Sequence, residues 1–120
     1  MVELISGAAS SAQHVTLRLV EIPPLEPPAR RHPHEHRAVE ECVLVLAGRG
    51  LAWVEGETAP LAQGDALLIP PSTPHMLLST AGPGGDPLRV ACFFPTADMP
   101  ASMVERPDIQ VSNAALYARA

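Results

Sequence analysis

His32-Pro33-His34-Glu35-His36-Arg37-Ala38-Val39-Glu40-Glu41-Cys42-Val43-Leu44-Val45-Leu46-Ala47-Gly48 is the stretch on which the fold turns. One residue separates His34 from His36, four separate His36 from Glu41, and six separate Glu41 from Gly48, a pattern of H-x-H-x4-E-x6-G. Side chains two apart on a strand share a face, so His32, His34 and His36 point the same way if this is extended chain. Glu41 has the opposite parity to His36. It joins the same site only if Arg37 to Glu40 contain a turn or bulge that resets the face. From Glu41 to Ala47 the alternation places Glu41, Val43 and Val45 on one side and Cys42, Leu44 and Leu46 on the other.

A second stretch echoes the first. Gly64-Asp65 opens a short apolar run, Ala66 to Ile69, which stops at Pro70-Pro71 and is followed by Thr73-Pro74-His75. If the two stretches are adjacent strands of one barrel, His34, His36, Glu41 and His75 can meet around a single metal ion.

Working outward, Val15 to Ile22 alternates as a half-buried strand, with Val15, Leu17 and Leu19 on one face and Thr16 and Arg18 on the other. Pro23, Pro24, Pro27 and Pro28 then force an extended connection that cannot donate ladder hydrogen bonds. Gly48-Arg49-Gly50 reads as a tight turn from which Leu51 to Val54 returns antiparallel, and Glu55-Gly56-Glu57 is the next hairpin signal. Ala66 to Ile69 is expected to be a short buried strand. His75 to Ser79 and Leu88 to Phe94 complete the strands, with a loop over residues 80 to 87 between them. Residues 1 to 13 read as an arm or short first strand, and Ser112-Asn113 could cap a short helix over Ala114 to Arg119. Met76 and Leu78 join Cys42, Leu44 and Leu46 on an outer face, which needs a second subunit or a returning tail to cover it. A homodimer is the expectation.

The 120 residues make one domain, with a core at about 14–95 and a C-terminal tail at 96–120. Hydrophobic residues are 47% of the chain and aromatics 3%, so Val, Leu, Ile and Ala must build the core. Fourteen prolines exclude a helical bundle. Turn signals every eight to twelve residues favour an all-β antiparallel sandwich or barrel. A formal net charge of −5 argues against a nucleic-acid module, which needs a basic face. Cys42 and Cys92 each sit in an apolar run and read as small buried hydrophobes, not a disulfide. The N-terminus shows neither a signal peptide nor a membrane span, so the expected location is the cytoplasm.

These two motifs resemble those of the cupin superfamily, usually written G-x5-H-x-H-x3,4-E-x6-G and G-x5-P-x-G-x2-H-x3-N. Gly64, Pro70 and His75 fall at matching positions of the second, while Pro28, Ser72 and Ser79 stand where the family has Gly, Gly and Asn. The resemblance implies an antiparallel jelly-roll β-barrel in which His34, His36, Glu41 and His75 are the metal ligands. Glu40 competes with Glu41, because the family allows three or four intervening residues; the six-residue interval to Gly48 favours Glu41. Three imidazoles and a carboxylate suit one divalent transition metal, Fe, Mn, Ni, Co, Cu or Zn, and suit calcium poorly. Four protein ligands would leave an octahedral ion two open positions for a small-molecule substrate, water or dioxygen.

By parity His32 is a candidate proton shuttle or supporting group, beside its plainer reading as a solvated histidine at the mouth. Trp53 and Tyr117 could line a pocket, although packing is the plainer role for Trp53. Two functions are compatible with this set. One is a metal-dependent enzyme acting on a small organic acid, ketone or polyol, by dioxygenase-like, lyase, isomerase or decarboxylase chemistry. The other is a non-catalytic binding or sensing module with a structural metal, favoured by the lack of a general base, of an arginine clamp aimed at the site, and of aromatics.

Overall fold

A computed structural model describes residues 1–24, 30–82 and 84–112; the readings placed on Pro27, Pro28, Tyr117 and the helix over Ala114 to Arg119 lie outside them. In chain order the elements are β1 (Val2–Ile5), β2 (Thr16–Ile22), β3 (Arg30–Arg31), β4 (His34–His36), β5 (Glu41–Ala47), β6 (Arg49–Val54), β7 (Glu57–Ala62), β8 (Ala66–Ile69), β9 (His75–Ser79), β10 (Leu88–Phe94), α1 (Met99–Ser102), β11 (Met103–Glu105) and β12 (Val111–Ser112). Among the described residues one five-stranded sheet has the order β1-β2-β10-β5-β8 and a second the order β11-β4-β9-β6-β7, while β12 pairs with β3. Every strand pair in them is antiparallel.

The expected closed jelly-roll barrel is not what forms. Each five-stranded sheet ends in two edge strands, β1 and β8 in the first and β11 and β7 in the second, so neither closes on itself. The two sheets share one apolar interior, into which Val43, Val45, Val90 and Cys92 project from the first and Ala52 and Leu61 from the second. Gly48 is the reason the expected hairpin between β5 and β6 is also absent. At φ +83° it turns the chain from one sheet into the other, so β5 pairs with β10 and β8 whereas β6 pairs with β7 and β9. The hairpin at Glu55-Gly56 does form between β6 and β7, with both residues at positive φ, as a two-residue turn of the favoured twist requires.

Three faces differ from expectation. In β2 the inward side is the one with Thr16 and Arg18, while Leu19 is exposed, because Thr16 hydrogen-bonds the Thr96 carbonyl at 2.7 Å and is fully buried beneath it. β8 is an edge strand and only Ile69 of it is deeply buried. Cys42 is exposed and Cys92 buried, and both are free thiols.

The two outer faces are treated differently. On the second sheet Leu51, Trp53, Met76 and Leu78 form a buried cluster against which Ile109 and Val111 pack, so the returning chain covers Met76 and Leu78. On the first sheet Cys42, Leu44, Leu46, Leu68 and Phe93 stay exposed. No helix among the described residues is long and apolar enough to cross a membrane.

Candidate metal centre

The crossing between sheets builds the site. β4 ends at His36, and a turn at Arg37-Ala38, with Ala38 at φ +60°, carries the chain across to β5, which starts at Glu41. This is the change of face that the parity of Glu41 demands. His34 is the direct register partner of His75 on β9, so the two histidine stretches are neighbouring strands. Ser72, standing where the family has glycine, takes φ +54°; its amide donates to the His36 carbonyl at 2.8 Å and its Oγ accepts from the Ala38 amide. The two turns that frame the site are thereby tied together.

Ring centroids lie 4.6 Å apart for His34 and His75, 5.0 Å for His34 and His36, and 5.5 Å for His36 and His75. One ligand atom from each of these histidines lies within 4.8 Å of the other two, and His36 and His75 are buried. Glu41, also buried, places Oε1 at 3.0 Å from His75 Nε2 and 3.5 Å from His36 Nε2. Glu40 is exposed.

Outer hydrogen bonds fix which nitrogen of each ring faces inward. His75 Nδ1 lies 2.9 Å from the Thr73 carbonyl, which can only accept, so Nδ1 carries the hydrogen and the neutral ring has its lone pair on Nε2. That lone pair faces a carboxylate oxygen. Two acceptors at 3.0 Å require a cation between them, either a proton or a metal ion. His36 repeats the arrangement. Ser102 Oγ gives its hydrogen to the Met99 carbonyl at 2.7 Å and so can only accept from His36 Nδ1 at 3.4 Å, leaving His36 Nε2 buried with no hydrogen-bond partner. An orphaned imidazole nitrogen beside a second one and a carboxylate fits a transition-metal ion.

Electrostatics match the geometry. Burial lowers the His34 pKa to about 4, and the neighbouring His75 and His36 push it the same way. Burial works to raise the Glu41 pKa, yet the close contacts with His36 and His75 win and hold it at about 2. His34 is thus neutral and Glu41 ionised between about pH 4 and neutrality, the states that bind metal.

The cluster opens into a pocket of about 360 Å³ between the sheets. His32 stands on its lining, part exposed, with Nε2 at 3.1 Å from Glu105 Oε2. Trp53 lies on the other side of the second sheet, in the cluster with Leu51. Arg18, Cys92 and Phe94 are among the lining residues that escaped sequence reading. Arg18 is directed inward because β2 turns in the face it shares with Thr16, Val20 and Ile22. Cys92, whose thiol is pushed up by burial and then by the Glu41 charge, is its register partner, and Phe94 packs edge-on against His36 at 4.8 Å. Thr73 and Ser102 act one step further out, and nothing in their sequence context distinguishes them from ordinary turn residues.

Among solved structures, an oxalate decarboxylase from Lactobacillus farciminis, crystallised as a formate complex, superposes with a TM-score of 0.70 at 22% identity, over 84% of this chain but only 29% of its own. A putative sugar phosphate isomerase from Acidithiobacillus ferrooxidans gives 0.62 at 24% identity, over 94% of this chain and 76% of its own. These likenesses establish the fold. An uncharacterised protein of Methanocaldococcus jannaschii is 37% identical over 59 residues, which are 49% of this chain and 45% of that one, so the match spans about half of each. The cupin-domain family model matches residues 18–94, the segment that holds both histidine stretches and the strands around them, and the chain belongs to the cupin family.

Proposed function

We propose that this protein is a metal-dependent cupin enzyme in which His34, His36, Glu41 and His75 hold one divalent transition metal and a small organic molecule reacts in the adjoining pocket. The observation that carries the reading is the convergence of three imidazoles within 4.8 Å of one another, with Glu41 Oε1 at 3.0 Å from His75 Nε2 and 3.5 Å from His36 Nε2, the last a buried nitrogen with no hydrogen-bond partner among the described residues. A bound divalent ion supplies Lewis-acid polarisation of a substrate oxygen or, for a redox-active metal, the means to use dioxygen.

The chain's own residues set the conditions for that chemistry. Thr73 and Ser102 lock the tautomers of His75 and His36, so both rings keep their donor atoms inward without a rearrangement on binding. Phe94 and Cys92 wall the cluster from bulk water on the side of the first sheet. His32, at the pocket's mouth and paired with Glu105, is placed to pass a proton between solvent and the pocket. Within this class we favour dioxygenase-like chemistry, by family analogy.

Elemental analysis of protein purified without added metal should give about one transition-metal ion per chain. Substrate screening should then compare Fe(II)-loaded protein under air and anoxia. Equal turnover in the two would remove the oxygenase branch and leave isomerase, lyase or decarboxylase chemistry. Metal content near zero, unresponsive to loading, would remove the whole proposal.

A homodimer formed by the first sheet's outer face belongs to the same reading. Leu44, Leu46, Leu68 and Phe93 are each between 39% and 57% exposed on the same face of the first sheet, and exposed apolar groupings of this kind mark interaction surfaces. Leu44→Glu together with Leu68→Glu should convert a dimer to a monomer in sedimentation; a wild-type chain that sediments as a monomer at micromolar concentration contradicts it.

A further inference from the structure

Arg18 is the charged group of the pocket that the metal centre does not account for. It projects from β2 between Thr16 and Val20, on the face opposite the second sheet, with Cys92 as its partner on β10. Among the described residues its buried Nε has no hydrogen-bond partner, and Nη1 reaches the Met99 sulfur at 3.7 Å, a weak acceptor. Among the described residues no carboxylate forms an ion pair with it. The other arginine lining the pocket, Arg31, is already turned toward the Leu77 carbonyl at 3.4 Å.

A guanidinium held against an apolar wall without a counter-ion is costly, and its fork of donors matches a pair of oxygens on one anionic group. We propose that Arg18 is a substrate-binding residue that selects molecules carrying an oxyanion, a carboxylate or a phosphate. With one end of the molecule on Arg18 and the other toward His34 and Glu41, the pocket takes a small bifunctional acid. The inference rests on the pocket's being the substrate site, as proposed above, but the anion preference belongs to Arg18 and not to the metal. Arg18 therefore orients the molecule and sets specificity. The residue sits on the side of the site opposite the second sheet's histidines, so it can hold a distal group while leaving the reacting one free.

Calorimetric titration of metal-loaded and chelator-treated protein with malonate, methylphosphonate and the neutral malonamide tests this. Wild type should bind one of the two anions about 10- to 100-fold more tightly than malonamide, the margin of a charge-assisted hydrogen-bond pair. The preference should survive removal of the metal, though weaker overall. Malonate binding more tightly than methylphosphonate assigns a carboxylate substrate, and the reverse assigns a phosphate. Arg18→Gln should abolish the preference while leaving metal content at the wild-type level, and Arg18→Lys should recover part of it. Because each replacement removes or relocates an unpaired charge, both should fold, which their melting curves will report. Undiminished preference in Arg18→Gln overturns the assignment, as does a wild-type pocket that does not distinguish anion from amide. Failure of the metal reading would instead appear as absent metal with the anion preference intact.

Discussion

Metal-dependent thermal stability is the sharpest consequence of the proposed site, because its four proposed ligands come from both sheets. Glu41 belongs to the first sheet and His34, His36 and His75 to the second, so a bound ion bridges them and no local segment of the unfolded chain can reproduce the set. Stabilisation by a ligand specific to the folded state is RT ln(1 + [L]/Kd), about 2.7 kcal/mol at a hundred times Kd and about 1.4 kcal/mol for each further tenfold. The unfolding entropy of a chain of 120 residues is about 0.25 kcal/mol/K at roughly 2.1 cal/mol/K per residue. Free metal at a hundred times Kd should therefore raise Tm by about 10 °C, and each further decade by about 5 °C. The assay is calorimetric melting of chelator-treated protein against Fe(II), Mn(II), Co(II), Ni(II) and Zn(II), each buffered at several free concentrations. His36→Ala should lose most of the shift at a given concentration, as should His75→Ala, while His32→Ala keeps it. A slope with metal that is the same in wild type and in the His36→Ala/His75→Ala double variant would refute the reasoning, since the binding would then lie elsewhere.

The remaining expectations concern the turns and the acid limb. Gly48→Ala puts a Cβ 2.5 Å from the Pro87 carbonyl oxygen at φ +83° and should cost about 2–4 kcal/mol in denaturant melts; a loss under about 1 kcal/mol would mean the two segments can separate freely there. Ala38→Gly relieves a left-handed alanine at φ +60° and should change stability by less than about 1 kcal/mol in the stabilising direction, without altering metal content. Metal-free protein should lose stability as pH falls from about 6.5 to 4. In that window the unfolded chain protonates His34 while the folded one, with His36, His75 and Arg18 facing it and only Glu41 opposing them, does not. The loss is at most about 3 kcal/mol and smaller with solvent screening. Glu41, held at about 2, adds a second loss only below its unfolded value near 4.5. A melting temperature flat between pH 6.5 and 4 in metal-free protein would remove the His34 contribution.

What the sequence made legible follows from how local each signal is. Strand limits at His75–Ser79 and Leu88–Phe94 were readable because alternation and proline are written in the residues themselves. The turn between His36 and Glu41 could be demanded from parity alone. The partner of β5 could not, since Gly48 serves equally well in a hairpin and in a crossing between sheets, and only Pro87 packed against it decides which. Closure into a barrel is a still more distant property, set by whether edge strands such as β7 and β8 find each other.

Arg18 shows why the pocket was harder to read than the metal ligands. Val15, Leu17 and Leu19 form an apolar row running into β2, and transfer energetics alone would bury them. The opposite side faces inward because Thr16 finds the Thr96 carbonyl and Val20 and Ile22 supply the apolar contact, which leaves Arg18 carried inside on the same face. A strand whose apolar side is left exposed to keep a threonine and an arginine inside makes sense if each outcome has a compensating partner. For the outward leucines that partner is the second copy proposed to cover the first sheet, and for Arg18 it is an anion in the pocket. The two proposals are thus linked through one strand: the orientation of β2 that sets Leu17 opposite Phe93 and leaves Leu19 exposed is the same orientation that gives the histidine cluster its neighbouring positive charge.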